Sequence, residues 1–386
     1  MALVAVVLWM LPKGIFAQAD DDGLPTDITV SLLSVAPGYT IYTAHGHCAL
    51  RLQCPSSDLD LSFTYGLDDT VENRLSFFSG KGMGEYSATH TKDYLQDYVG
   101  ENRQVKEYEL NLSLDQKRRL WELLDGELDR GAIRRYNYLK TNCSTMCAHA
   151  VARTLRGDVN IIYESTSPCL DGTYRDMVRH VSQHRPWVDF FWNSLLGSEG
   201  EETGLMEDKL SPSLLVETWQ HAVIVDSLGS RRPMLVSNNG NVVIEGDDGQ
   251  RTTWFTPIVC FALLLLLVIL LTLAERRGRL THLAHGLDIV LFVVQTVIGV
   301  VICYITFFSS HVGAAGNWYA VAFNPVPLLC WLLLSRKKMY RRLYLLFFVV
   351  LCVFILLTPF VAQLDLPHSL VVATLAVRCL AYAFPV

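Results

Sequence analysis

Apolar and polar positions change rhythm once along this chain, near Trp254. Before it, short apolar runs alternate with charged and turn-forming residues; after it, apolar residues come in long blocks. In the first part Ile28–Ser34 and Leu59–Tyr65 read as strands, closed by Pro37-Gly38 and by Gly66. Cys48 to Gln53 and Gln104–Leu110 alternate as half-buried strands do. Residues 73–84 read as a connector and Asp93–Val99 as a short helix. Ser113, with Gln116 three positions on, forms a capping box opening a helix to about Leu128. Met146–Leu155 is a run of helix formers preceded by the cap-type residues Asn142, Ser144 and Thr145, so a helix begins at Cys143. Arg185–Gly197 carries Trp187, Phe190, Phe191 and Trp192, an aromatic stripe suited to a core or to a membrane surface. The segments 238–240 and 247–249 are turns. Strands flanked by helices without regular βαβ alternation predict an α+β domain.

The second part holds five apolar blocks: Phe255–Ala274, Leu287–Phe308, Trp318–Leu334, Leu343–Ala362 and Leu366–Pro385. A helix needs about 20 residues to cross the ~30 Å hydrocarbon layer, so about five transmembrane helices are expected. Pro325 and Pro327 predict a kink in the third. The basic residues Arg276, Arg277 and Arg279, then Arg336, Lys337, Lys338, Arg341 and Arg342, fill two loops; Ser309–Asn317 and Gln363–Pro367 hold no Lys or Arg. The positive-inside rule puts the basic loops in the cytoplasm and the first domain outside. Residues 1–19, apolar and ending in Ala17-Gln18-Ala19, read as a secretory signal peptide, with an uncleaved anchor as the alternative. The expected division is 1–19 leader, 20–253 exported domain and 254–386 membrane bundle. Residues 1–253 carry 23 basic and 35 acidic side chains, a balance that speaks against nucleic acid.

Chemistry concentrates in two stretches. A thiol at a helix start, Cys143, feels the positive end of the helix dipole and unpaired N–H groups, which favour the thiolate. His45 and His47 precede a strand, His47 lying 96 positions upstream of Cys143, and a histidine there with a cysteine there makes a thiol–imidazole pair. The imidazole needs a third group, for which His45, Thr64 and Tyr65 are the candidates. Five cysteines lie in the exported region, an odd number; bridges Cys147–Cys169 and Cys48–Cys54 would leave Cys143 free. No metal-ligand spacing or phosphate loop appears, and no cofactor is expected.

Gly46-His47 followed by Ala49-Leu50-Arg51, Asn142-Cys143 opening a helix, Tyr65-Gly66, Tyr136 and Tyr138, and Trp187 through Gly197 resemble the Lnb N-terminal periplasmic domain family. That family is similar to the permuted NlpC/P60 and LRAT-like branch of papain-fold thiol enzymes. The resemblance extends to Ser310-His311, Asn317 and Asn324-Pro325 in the membrane part. It implies a papain-like α+β periplasmic domain followed by an all-α polytopic transmembrane bundle in the inner membrane. It implies a lipoprotein N-acyltransferase, with a phospholipid as acyl donor and a diacylated lipoprotein as acceptor. Cys143 and His47 would be catalytic, and Asn142, His45, Thr64, Tyr65 and Tyr138 supporting. His311, Asn317, Asn324, Trp187 and Trp192 would line lipid access. An envelope cysteine peptidase or amidase, a phospholipase, and a membrane sensor without catalysis are the competing classes.

Overall fold

The structure is a computed structural model that describes residues 25–40, 42–67, 76–164, 172–204, 208–250, 253–326, 328 and 337–384. The expected leader, Cys169 with its proposed bridge, and most of the second half of the third apolar block lie outside the described residues.

The exported domain is built on strands β1 (Thr29–Val35), β2 (His47–Cys54), β3 (Leu59–Leu67) and β4 (Met83–His90). Helix α1 (Thr91–Gly100) and strand β5 (Val105–Glu109) follow, then α2 (Leu114–Asp129), the two-residue β6 (Arg134–Arg135) and α3 (Cys143–Leu155). After them come β7 (Val159–Tyr163), α4 (Tyr174–Ser182), α5 (Pro186–Leu195), α6 (Pro212–Gln220), β8 (Ala222–Asp226), β9 (Arg231–Pro233) and β10 (Asn241–Ile244). Seven strands form an antiparallel sheet in the order β10-β5-β1-β2-β3-β4-β6, and β7-β8-β9 form a small second sheet. Cys48, Leu50 and Leu52 on alternate positions of β2 join Leu120 and Leu124 of α2 and Cys147 and Val151 of α3 in one buried core. Burying such side chains stabilises the fold by about 1.5–3 kcal/mol each, and here it presses α3 onto the sheet. Arg51, on the other face of β2, bridges Asp60 at 2.5 Å and Glu107 at 3.0 Å, tying three strands together.

The expected strands, the α2 capping box and the start of α3 are all present. β4 goes unanticipated because Met83–His90 carries its alternation on Gly84 and Tyr86 alone. It forms because in-register pairing with β3 satisfies its backbone. The second sheet, α4 and α6 were also missed. Thr173 and Asp176 make a capping box ahead of Met177 and Val178, a signal that identifies α4. The 238–240 and 247–249 turns flank β10, which pairs with β5.

Four helices, α7 (Pro257–Arg276), α8 (Thr281–Phe307), α10 (Lys337–Leu357) and α11 (Leu366–Ala383), are long and apolar enough to cross a membrane. In the third block the described residues contain α9 (Tyr319–Ala322), which ends before Asn324-Pro325. Arg378 holds Asp288, Glu275 and Thr272 in a buried cluster joining α7, α8 and α11 near the basic-loop end. The opposite end meets the exported domain. Ser310 N donates to Ser79 O at 2.8 Å, Gly197 N to Gly313 O at 2.7 Å and Ser198 N to Ala315 O at 2.9 Å. The two loops without basic residues thus face the exported domain, as the charge pattern requires.

Candidate active site

Asn142 caps α3. Its Oδ1 accepts from Ser144 N at 2.8 Å and Thr145 N at 3.1 Å, and Thr145 Oγ1 accepts from Asn142 N, a complete capping box. Its Nδ2 donates to Tyr138 O and Leu210 O. Asn142 therefore fixes where Cys143 sits, and the cap spends two of the first-turn N–H groups. Among the described residues Cys143's own N–H remains without a partner as an oxyanion donor.

Cys143 is buried, yet its thiol is held well below the usual range. A hydrogen bond from Cys48 contributes most; burial opposes it; the charge of His47 and a hydrogen bond from that ring add to it. Cys48 is pushed far up, chiefly by burial, so it keeps its proton and donates it. The Cys48 Sγ lies 3.9 Å from Cys147 Sγ and 3.7 Å from Ser144 Oγ, so three thiols meet under the start of α3. This corrects the Cys48–Cys54 pairing. Both thiols are free, and Cys54, at the far end of β2, contacts Ser56, Ser57 and Asp27 instead. Cys143 stays free too.

Of the three candidate partners for His47, the fold brings Thr64. Thr64 Oγ1 lies 2.8 Å from His47 Nε2 and 2.9 Å from Cys48 O. A hydroxyl has one proton. Given to the Cys48 carbonyl, it leaves Thr64 to accept from His47 Nε2–H, which frees Nδ1 as the basic nitrogen. Tyr65 alternates to the opposite face and is buried against Tyr86 and Tyr136, its hydroxyl on Arg134 O. His45 makes no hydrogen bond to His47. Tyr94, which sequence reading did not single out, packs its ring 6.4 Å from that of His47.

An aromatic corridor runs from this site to the membrane loops. Tyr138, on the turn before α3, packs against Trp192 at 4.6 Å and Phe77 at 5.7 Å, and Phe77 against His311 at 5.5 Å. Trp187 donates to Phe255 O at 2.7 Å and packs on Phe261 of α7. Asn317 donates to Ser194 O and accepts from Gln363. Asn324 bonds locally, to Val321 O and Val326 N, and is not brought to the corridor.

The joint beside it is a buried polar network. Asn193 donates to Tyr319 Oη, Gln363 O and Asp365, and accepts from Arg175. Ser194 Oγ meets His368 Nε2 at 2.7 Å, and His368 Nδ1 meets Asp365 Oδ1 at 2.6 Å. This Ser–His–Asp chain has the connectivity of a hydrolase triad, but both faces of its imidazole are covered, by Phe190 at 4.2 Å and Tyr319 at 4.0 Å. Ser194 also bonds Phe190 O in its own helix. It bolts α5 to α11. Among the described residues no cluster of His, Cys, Asp or Glu is placed to hold a metal.

A family model described as the Lnb N-terminal periplasmic domain matches residues 16–179, and one described as the Lnb transmembrane domain matches residues 249–385. No curated protein and no solved structure matches the chain. Both halves of the two-part architecture are thus accounted for, and with them the thiol-bearing domain and the helical region it is joined to. The chain belongs to the Lnb family, membrane enzymes of lipoprotein processing with a periplasmic domain.

Proposed function

We propose that the protein is an inner-membrane lipoprotein N-acyltransferase working through a Cys143 thioester. The observation that carries this reading is a thiolate-stabilised cysteine, paired with an oriented histidine, on a domain locked by backbone hydrogen bonds onto the outer loops of a membrane bundle. A nucleophile held at the bilayer surface suits substrates whose reacting groups never leave it; an enzyme cutting soluble peptides has no use for this joint. In the first step His47 takes the Cys143 proton, and the thiolate attacks the acyl ester carbon of a phospholipid. The oxyanion forms beside the Cys143 N–H. The C–O bond breaks, and the lysophospholipid alcohol leaves with the proton from His47. In the second step the α-amine of a diacylglyceryl-cysteine attacks the thioester. Its proton passes to His47, the C–S bond breaks and the thiolate is restored.

The test is intact mass of the purified protein in phospholipid micelles, with hydroxylamine trapping. An acyl-sized increase on the wild type that is absent from Cys143→Ala supports the reading. Neither an adduct nor a trapped hydroxamate on the wild type refutes it.

A further inference from the structure

His45 is only 7 % exposed, and neither of its ring nitrogens has a hydrogen-bond partner among the described residues. Trp192 Nε1 is buried and unpartnered as well. The two rings lie 5.1 Å apart, and Tyr138 closes the group, 6.1 Å from His45 and 4.6 Å from Trp192. Buried polar atoms are almost always bonded, and three that are not, gathered in one place, mark where a ligand supplies the partners. The position is suggestive on both sides. Tyr138 O is held by the Asn142 cap that sets Cys143, while Trp192 immediately precedes Asn193 and Ser194, which bolt the domain to the membrane bundle.

We propose that His45 and Trp192 bind the incoming acyl acceptor at its amine-bearing N-terminal residue, one His45 nitrogen accepting an N–H and the indole N–H donating to the adjacent carbonyl. The assignment rests on the acyltransfer reading above and names which substrate this ring group holds. A neutral imidazole and an indole together offer one acceptor and two donors. An amino-terminal residue, with amine and amide N–H groups beside a carbonyl, uses both kinds; an acyl chain uses neither. A phosphate, all acceptor, calls for a cation. The nearest one, Arg185, directs Nη1 to Ala44 O at 2.7 Å and Nη2 to Gly38 O at 2.6 Å. Burial, and then the Arg185 charge, bring His45 down to about 4, so the ring is neutral at periplasmic pH. The same surroundings disfavour an ammonium and deliver the amine as the free base, the form that attacks a thioester.

The experiment uses the full chain in detergent–phospholipid micelles. The acyl-enzyme is formed first, then divided between a synthetic diacylglyceryl-cysteine peptide and hydroxylamine, a nucleophile too small to need these contacts. His45→Phe keeps the ring packing and removes both nitrogens; Trp192→Phe removes the indole N–H; His45→Gln keeps a donor and an acceptor. We expect the lipopeptide-to-hydroxylamine rate ratio to fall at least about tenfold in His45→Phe, the loss of a buried hydrogen-bond partner. It should fall several-fold in Trp192→Phe and recover most of the way in His45→Gln. A ratio within about twofold of wild type in both phenylalanine variants overturns the assignment and leaves the acyltransfer reading standing. If His45→Phe does not fold, the Trp192→Phe and His45→Gln ratios decide. A wild type that forms no acyl-enzyme overturns the acyltransfer reading itself, a result the ratios cannot mimic.

Discussion

Replacing Thr64 by valine tests the site at the point where the fold, rather than the motif, made the choice. The hydroxyl makes two contacts, 2.8 Å to His47 Nε2 and 2.9 Å to Cys48 O. Losing a neutral hydrogen bond costs about 1 kcal/mol of stability, so the variant should fold with a small drop in melting temperature. The catalytic cost is larger, because the hydroxyl selects the tautomer that leaves Nδ1 basic. Partners that orient metal-bound imidazoles are typically worth ~10–100-fold, about 1.4–2.8 kcal/mol, and we expect a loss of that order for the oriented His47. The assay is the rate of Cys143 acyl-enzyme formation, with iodoacetamide alkylation followed from about pH 5 to about pH 10. The sign follows from the direction of the shift. Cys143 is held low, so its reactive thiolate is present above its folded-state value and is lost as pH falls through it. With the imidazole less well placed, the inflection should move up toward the ordinary thiol range. Thr64→Ser, which keeps the hydroxyl, should restore both rate and inflection. Wild-type acylation and an unmoved inflection in Thr64→Val would refute the reasoning.

Three further outcomes follow from the geometry. Gly197→Ala puts a Cβ against the Ala315 carbonyl, a backbone atom that cannot rotate away, and should cost about 1–3 kcal/mol by overpacking; an unchanged melt and unchanged proteolysis of the 309–317 loop would contradict it. Asn193→Ala removes one acceptor of the buried Arg175, which keeps Glu201, Leu196 O and Gly197 O, and cuts the links to Gln363 O and Asp365 that hold the joint. We expect iodoacetamide alkylation of Cys143 within about threefold of wild type but acylation from phospholipid down by more than tenfold, and parallel losses would count against a joint that serves lipid delivery. Glu127 is buried, which alone would raise its carboxyl. The hydrogen bond and charge of Arg134, helped by Arg153 and Arg130, carry it below the usual range. A depressed carboxyl contributes stability above its unfolded-state value of about 4.3 that is lost as pH falls through the folded one. Glu127→Gln should therefore cost about 1–2 kcal/mol of stability at neutral pH after discounting the half-exposed arginines, lowering the melting temperature there, and flatten the acid-side decline. Parallel pH–melt curves for the two proteins would refute this.

Local chemistry was readable wherever a residue acts on its own neighbours. The capping boxes at Ser113 and Asn142 set the starts of α2 and α3 from side chains three positions apart. The place of Cys143 at a helix N-terminus followed from that. Block length and the distribution of Arg and Lys identified the apolar helices and the face that meets the exported domain, because crossing a hydrocarbon layer is a demand on composition, whatever the packing. β4 and the second sheet were not readable. Their strands alternate weakly and exist because neighbouring strands leave backbone groups to be paired.

For the candidate site, the residue types alone named Cys143 and His47, since a thiol at a helix start and an imidazole at a strand start are recognisable one at a time. Which side chain orients that imidazole depended on strand register. β2 and β3 pair Ala49 with Thr64, which places the Thr64 hydroxyl between His47 and the Cys48 carbonyl and turns Tyr65 to the other face. The meeting of Cys48 with Cys147, and of His45 with Trp192, likewise joins positions about a hundred residues or more apart. Such contacts are properties of three-dimensional packing, in which a shift of one residue reverses every side chain on a strand, and no local pattern along the chain encodes them.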